Sequence, residues 1–217
     1  MKEQTNGILN GYKLEETHFE EVFTRQNGVK PHYQNTVDRF KQFSLADFER
    51  LNNEVKTAFF NQGITFAVYS ESKKPDERIF PFDLFPRIIP AEEWTKLETG
   101  VIQRNRAINL FLEDIYHSKK ILKDKVVPAD LTFSSKNYLK EMVDFSPEGG
   151  IYTHISGTDL IKHSDGEYYI LEDNLRCPSG VSYVLSNRMA LKKSLYDLFD
   201  KLNTKTVYQY PEQLLEI

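Results

Sequence analysis

Residues 157–180 read GTDLIKHSDGEYYILEDNLRCPSG, and no other stretch limits its own conformation so tightly. Thr158 to Lys162 reads as extended. His163 to Gly166 closes on Asp-Gly, the pair suited to a tight hairpin turn, and Tyr168 to Glu172 returns as a second strand rich in aromatic and β-branched residues. Asp159 in the first strand and Glu172 at the end of the second stand 13 residues apart, so a tight turn brings both carboxylates to one end of the ribbon. Asn174, two residues on, points to the same side if the strand continues, because side chains alternate with period two. Two carboxylates and an amide carbonyl are hard oxygen donors of the kind magnesium takes, with phosphates and waters as its other ligands. The same carboxylate pair also fits an ordinary solvated hairpin face. Residue types alone leave both readings open.

Around this ribbon the chain alternates helix and extended segments. Apolar residues recur at helical spacing over Phe19–Phe23 and Val37–Phe60, with Ser44 and Asp47 forming a capping box and Gly63 ending the pattern. Ile64 to Tyr69 reads as a strand. The prolines of IFPFDLFPRIIP force an extended connector, and Pro90 introduces the strongest helical stretch, Ala91–Tyr116. Trp94, Leu97, Val101, Ile108, Phe111, Leu112 and Ile115 line one side of it. Arg104, Arg106, Glu113 and Asp114 lie on the other, and Arg104 and Arg106 with Lys119 and Lys120 make at most a mild basic face, which reads as solvated. Pro128–Met142 reads as short helix or mixed structure, Ile151–Ile155 as extended with His154 inside a strand, and Tyr183–Leu202 as helix. The polar start, residues 1–18, reads as a flexible arm, and the tail VYQYPEQLLEI shows no clear element.

Bulk properties exclude several classes of function. With 217 residues, 40% hydrophobic, the chain can bury a core. Its 32 acids and 28 bases alternate without a block of like charge, so no nucleic-acid or membrane surface is expected. The longest apolar runs fall far short of the roughly 20 residues a membrane-spanning helix needs. A single cysteine, Cys177, and a polar N-terminus without a signal-peptide core point to a cytoplasmic protein. Cys177 lies beside the proposed site without a paired histidine, which argues against a nucleophile.

The ribbon, with LEDNLRCPSGVSYVLSNR, GITFAVY, PFDLFPRIIPAEEW, QRNRAINLFLEDIY and IYTHISGTDL in this order, resembles the circularly permuted ATP-grasp type 2 family, relatives of the glutathionylspermidine-synthase type of ligase. The resemblance runs from about Phe19 to about Leu191. It implies a mixed α/β fold: a helical, pre-ATP-grasp-like region over residues 19–145, then part of an ATP-grasp catalytic region over 146–217. It implies ATP and magnesium as cofactors, with Asp159, Glu172 and Asn174 as metal ligands. Arg176 matches a catalytic position, and Ser179 and Gly180 match the phosphate- or substrate-binding loop. Arg87, in FPRIIP, is either a substrate-carboxylate binder or an ion-pair partner. The implied chemistry is ATP-dependent ligation of a carboxylate to an amine through an acyl phosphate, on peptide-like or other small substrates.

Two departures from the family pattern shape the expectation. Gly157 stands where ordinary ATP-grasp enzymes often carry an arginine, two residues before the strand aspartate. The lysine-bearing strands that clamp the nucleotide come after the metal hairpin in permuted members, which implies whole proteins roughly twice this length. The chain is therefore expected to be a truncated or split ligase, completed by a second chain that supplies the remaining half. The rival readings are a non-catalytic assembly module or degenerate relic, and a metal-dependent hydrolase using the same three oxygen ligands.

Overall fold

Among the described residues helices dominate, and two separate two-stranded ribbons interrupt them. The computed structural model describes residues 8–15, 17–68 and 76–216. In chain order the elements are α1 (Gln34–Phe40), α2 (Leu45–Asn61), β1 (Thr65–Val68), β2 (Asp76–Ile79), α3 (Ala91–Tyr116), α4 (Lys120–Lys123), α5 (Ala129–Ser134), β3 (Gly157–Lys162), β4 (Tyr168–Asn174), α6 (Gly180–Ser194), α7 (Tyr196–Lys201) and α8 (Tyr210–Leu215). The class is mixed α/β, as expected. β1 pairs antiparallel with β2, Thr65 opposite Ile79, and β3 pairs with β4. Tyr69, the expected end of the first strand, lies outside the described residues.

The helices begin and stop for local reasons. Ser44 and Asp47 form the reciprocal capping box at the start of α2, satisfying donors that a helix N-terminus leaves open. Gly63, at φ +66°, ends the helical stretch and turns the chain into β1. Between β3 and β4, Gly166 sits at φ +85° and donates its N–H to the His163 carbonyl at 2.9 Å.

The chain divides into two compact units. One comprises residues up to Pro90, the hairpin tip Lys162–Glu167 and residues from Ser179 onward. Its core gathers Phe40, Phe43, Leu51, Leu84, Leu195 and Leu198, with Phe48, Phe82 and Phe85 packed against them. Leu84 comes from the proline-rich connector, which forms no regular element, bends at Leu84 and Phe85 and ends at Pro90. The other unit comprises Ala91–Ile161 and Tyr168–Pro178. Its buried residues are fewer, Ile115, Tyr116 and Leu122, ringed by Phe111, Tyr138 and Tyr152.

Four expectations need correction. Phe19–Phe23 is not helical: the Glu20 carboxylate accepts the N–H groups of Val22 and Phe23 at 2.8 and 3.0 Å, and Phe23 bridges to Val29 instead. Ile151–Ile155 is not a strand but irregular chain, and His154 is exposed. The tail contains α8, with a proline in its first turn. Within the expected arm, residues 1–7 and 16 lie outside the described residues, while Ile8 and Leu9 pack against the apolar core. No helix among the described residues is long and apolar enough to cross a membrane.

Candidate functional site: a carboxylate–amide corner

The polar side of α3 is exposed at Arg104 and Arg106, as expected, and beside them it carries side chains that hold the chain before β3. Asn105, Asn109 and Glu113 recur every four residues, so they stand one above another on the helix. Asn105 Oδ1 accepts the Ser156 hydroxyl at 2.9 Å, and Asn109 Oδ1 accepts the N–H groups of Tyr152 and Thr153 at 2.7 and 3.1 Å. Tyr152 donates its hydroxyl to the Glu113 carboxylate at 2.5 Å. Burial first, and then that carboxylate, push the Tyr152 hydroxyl up to about 12. The Tyr152 and Thr153 N–H groups are therefore met by a helix side chain rather than by a neighbouring strand. Asp114, on the same helix, caps α4: the Ser118 hydroxyl and the backbone N–H groups of Ile121 and Lys120 hold its carboxyl below the usual range.

Beyond that segment runs β3, and the ribbon sorts its side chains by face. Thr158 is half-buried and Asp159 exposed. On β4, Glu172 and Asn174 are exposed while Asp173 between them is only 11% exposed. Both oxygens of Asp173 are taken: Arg104 of α3 donates to Oδ2 from Nε and Nη2, each at 2.7 Å, and the Thr158 hydroxyl donates to Oδ1 at 3.0 Å. On the outer face the three residues singled out in the sequence come together. The Asn174 amide nitrogen donates to Asp159 Oδ2 at 3.4 Å and to Glu172 Oε1 at 3.3 Å, two long and weak hydrogen bonds. A half-turn of that amide would present Oδ1 in place of the nitrogen, giving three oxygens at one end of the ribbon.

Gly157 belongs to this arrangement for a steric reason. A Cβ added there would lie 2.8 Å from the Pro178 Cβ and 3.7 Å from the Asn174 Cβ. The loop after β4 thus folds back onto the start of β3 at a position with no room for a side chain. Among the described residues no three His, Cys, Asp or Glu side chains converge as a metal cage. The corner offers two carboxylates and one amide, a donor set that suits a cation retaining waters or phosphates, as magnesium does, and not one that demands a closed cage.

The comparisons with known proteins bear on what such a corner is for. Residues 86–217, more than half of the chain, match the family model for circularly permuted ATP-grasp type 2 proteins. The chain belongs to the circularly permuted ATP-grasp type 2 family. Among its relatives are an uncharacterized protein of Synechocystis sp., 41% identical over 91% of this chain, and one of Mycobacterium tuberculosis, 36% identical over 96%. A Frankia casuarinae protein provisionally named glutamate–cysteine ligase 2-2 is 31% identical over 86% of the chain. The chain spans 41%, 37% and 21% of the lengths of these three relatives, respectively.

The ATP-grasp match covers α3, both strands of the corner and every residue singled out from the sequence. Arg176 follows Asn174 on the loop, exposed, and has no ion-pair partner among the described residues. Ser179 is the N-cap of α6 without a side-chain cap bond, and Gly180 opens the helix with open space around its Cα. Arg87 donates from Nε to Glu21 at 3.0 Å, the ion-pair alternative named for it. Cys177 is exposed and free. Asp173, Arg104, Asn105 and Asn109 escaped the sequence reading. The signals for Asn105 and Asn109 were their four-residue spacing on α3, and for Asp173 its inward register between outward-facing Glu172 and Asn174.

Proposed function

We propose that this chain carries the divalent-cation corner of an ATP-dependent carboxylate–amine ligase. The observation that supports this reading is the convergence of Asp159, Glu172 and Asn174 on one face of the ribbon, in a chain of the ATP-grasp family. In the proposed reaction a substrate carboxylate oxygen attacks the γ-phosphorus of ATP and ADP leaves. An amine then attacks the acyl carbon, phosphate departs, and the nitrogen's proton passes to solvent. The name given to the Frankia relative favours an amino-acid carboxylate and a small amine as the substrate class.

The chain's own residues divide the work. Asp159 and Glu172 would hold magnesium and Asn174 would complete the protein's share of the ligands. When bound, the ion supplies charge neutralisation at the nucleotide phosphates. The guanidinium of Arg176, exposed and two residues after Asn174 in sequence, is suited to grip phosphoryl or carboxylate oxygens through its planar fork. The backbone N–H groups at Ser179 and Gly180 open a 15-residue helix, where the helix dipole favours an anion. We assign Arg87 to its ion pair with Glu21 rather than to substrate.

Calorimetric titration of magnesium-ATP into the 217-residue chain and into its Asp159→Ala, Glu172→Ala variant tests the reading. The parent is expected to bind and the folded variant to lose affinity by at least about tenfold, the scale on which even outer-shell partners of metal ligands act. Equal affinity in the two proteins would sink the assignment of the corner.

A further inference from the structure

We propose that Arg104 is a positioning residue for the carboxylate–amide corner, acting through Asp173. This inference rests on reading that corner as a divalent-cation site. Asp173 stands between Glu172 and Asn174, so the pleat sends it to the opposite face. There it is 11% exposed with both oxygens engaged, Oδ2 by two nitrogens of Arg104 at 2.7 Å and Oδ1 by the Thr158 hydroxyl at 3.0 Å. A strand cannot rotate one residue without rotating its neighbours, so clamping residue 173 fixes the directions in which 172 and 174 project. The Thr158 end of the clamp does the same for Asp159, its neighbour on β3. Arg104 carries the restraint to α3, a 26-residue helix that also fixes the chain just before β3 through Asn105 and Asn109. Two strands alone form a marginal ribbon, and this clamp gives the ligand-bearing end a rigid reference.

Charge makes the inference falsifiable by sign. Arg104 is a cation paired with the carboxylate between Glu172 and Asn174, so Coulomb repulsion of a second cation alone predicts that removing it tightens cation binding. Positioning predicts the reverse. The test measures Mn2+ alone, by paramagnetic resonance, binding to the 217-residue chain and to its Arg104→Gln, Arg104→Lys and Thr158→Val variants. Binding about tenfold weaker is expected in Arg104→Gln, the scale on which outer-shell partners act on metal sites. Arg104→Lys keeps the charge but loses the planar two-nitrogen grip, so it is expected to fall nearly as far. Thr158→Val removes one hydroxyl at constant shape and charge, is expected to weaken binding severalfold, and decides the matter if the arginine variants fail to fold. Unchanged or tighter binding in the folded arginine variants, or in Thr158→Val should they not fold, would overturn the proposal. A second readout needs no ion: the Asn174 side-chain amide signals in a 15N–1H spectrum are expected to move in Arg104→Gln or, should that variant not fold, in Thr158→Val. Signals left in place would count against positioning. If the parent binds no Mn2+, the cation reading of the corner fails, and the Asn174 signals still decide whether Arg104 sets its geometry.

Discussion

The two ribbons are built alike and held by opposite means. β1 and β2 sit among rings: Phe66 meets Phe80 edge to face at 6.3 Å, Phe80 stacks on Tyr183 at 3.9 Å, and the Tyr183 hydroxyl donates to the Thr65 carbonyl. β3 and β4 are fixed by an ion pair, a threonine hydroxyl and the Tyr168 hydroxyl on Glu93 at 3.0 Å. Apolar packing is non-directional and tolerates small rotations, whereas an arginine fork and a hydrogen bond prescribe angles. The ribbon that presents three oxygen-bearing side chains is the one held mainly by directional contacts. Position, more than burial, is what that ribbon must secure.

The contrast breaks most visibly on the apolar side. Phe40 is fully buried and touches Phe43, Phe48 and Phe85. Phe40→Ala is expected to cost about 3–5 kcal/mol, the range for emptying a large buried ring site, and to lower the urea midpoint accordingly. Mn2+ affinity measured well below the unfolding transition should stay at the parent value. A change in that affinity would show that the corner depends on the aromatic core as well as on its clamp.

On the polar side the expected loss is smaller and more local. Asn109 serves two backbone N–H groups through one oxygen, and Asn109→Ala leaves both without their acceptor. A destabilisation of about 2 kcal/mol is expected, in the range for unmet backbone donors. Hydrogen exchange should speed up at the Tyr152 and Thr153 amides, while amides in α1 and α2 keep their protection. Protected Tyr152 and Thr153 amides in the variant would remove the lacing by α3 from the account.

The difference between the two sides also explains what the sequence discloses. α2 and α3 were legible because their signals are local: an apolar period, a capping box at Ser44, a proline before Ala91, a glycine at 63. The turn at Gly166 and the convergence of Asp159, Glu172 and Asn174 were legible too, since pleat alternation and Asp-Gly chemistry act over a few residues. Segment 151–155 misled because β-branched and aromatic residues suit a strand, yet the Tyr152 and Thr153 N–H groups go to Asn109, 43 and 44 residues earlier. Phe19–Phe23 misled because the Glu20 carboxylate offers its backbone a competing acceptor. The Arg104–Asp173 clamp joins residues 69 apart, and nothing in either neighbourhood announces its partner.

Gly157 offers the finest cut between shape and direction. Its φ is not in the left-handed region, so an added methyl group strains no backbone angle, and the whole effect must come from space. The new Cβ would fall 2.8 Å from the Pro178 Cβ, an atom of a rigid ring that cannot swing aside, so the loop after β4 must shift. Gly157→Ala is expected to cost about 1–2 kcal/mol, the lower part of the range for overpacking, in chemical denaturation. It should also weaken Mn2+ binding, because Asn174 begins the same loop and its Cβ is the next nearest neighbour at 3.7 Å. A stable variant with parent affinity would mean that the loop moves without disturbing Asn174. The clamp on Asp173 would then suffice by itself to hold the corner.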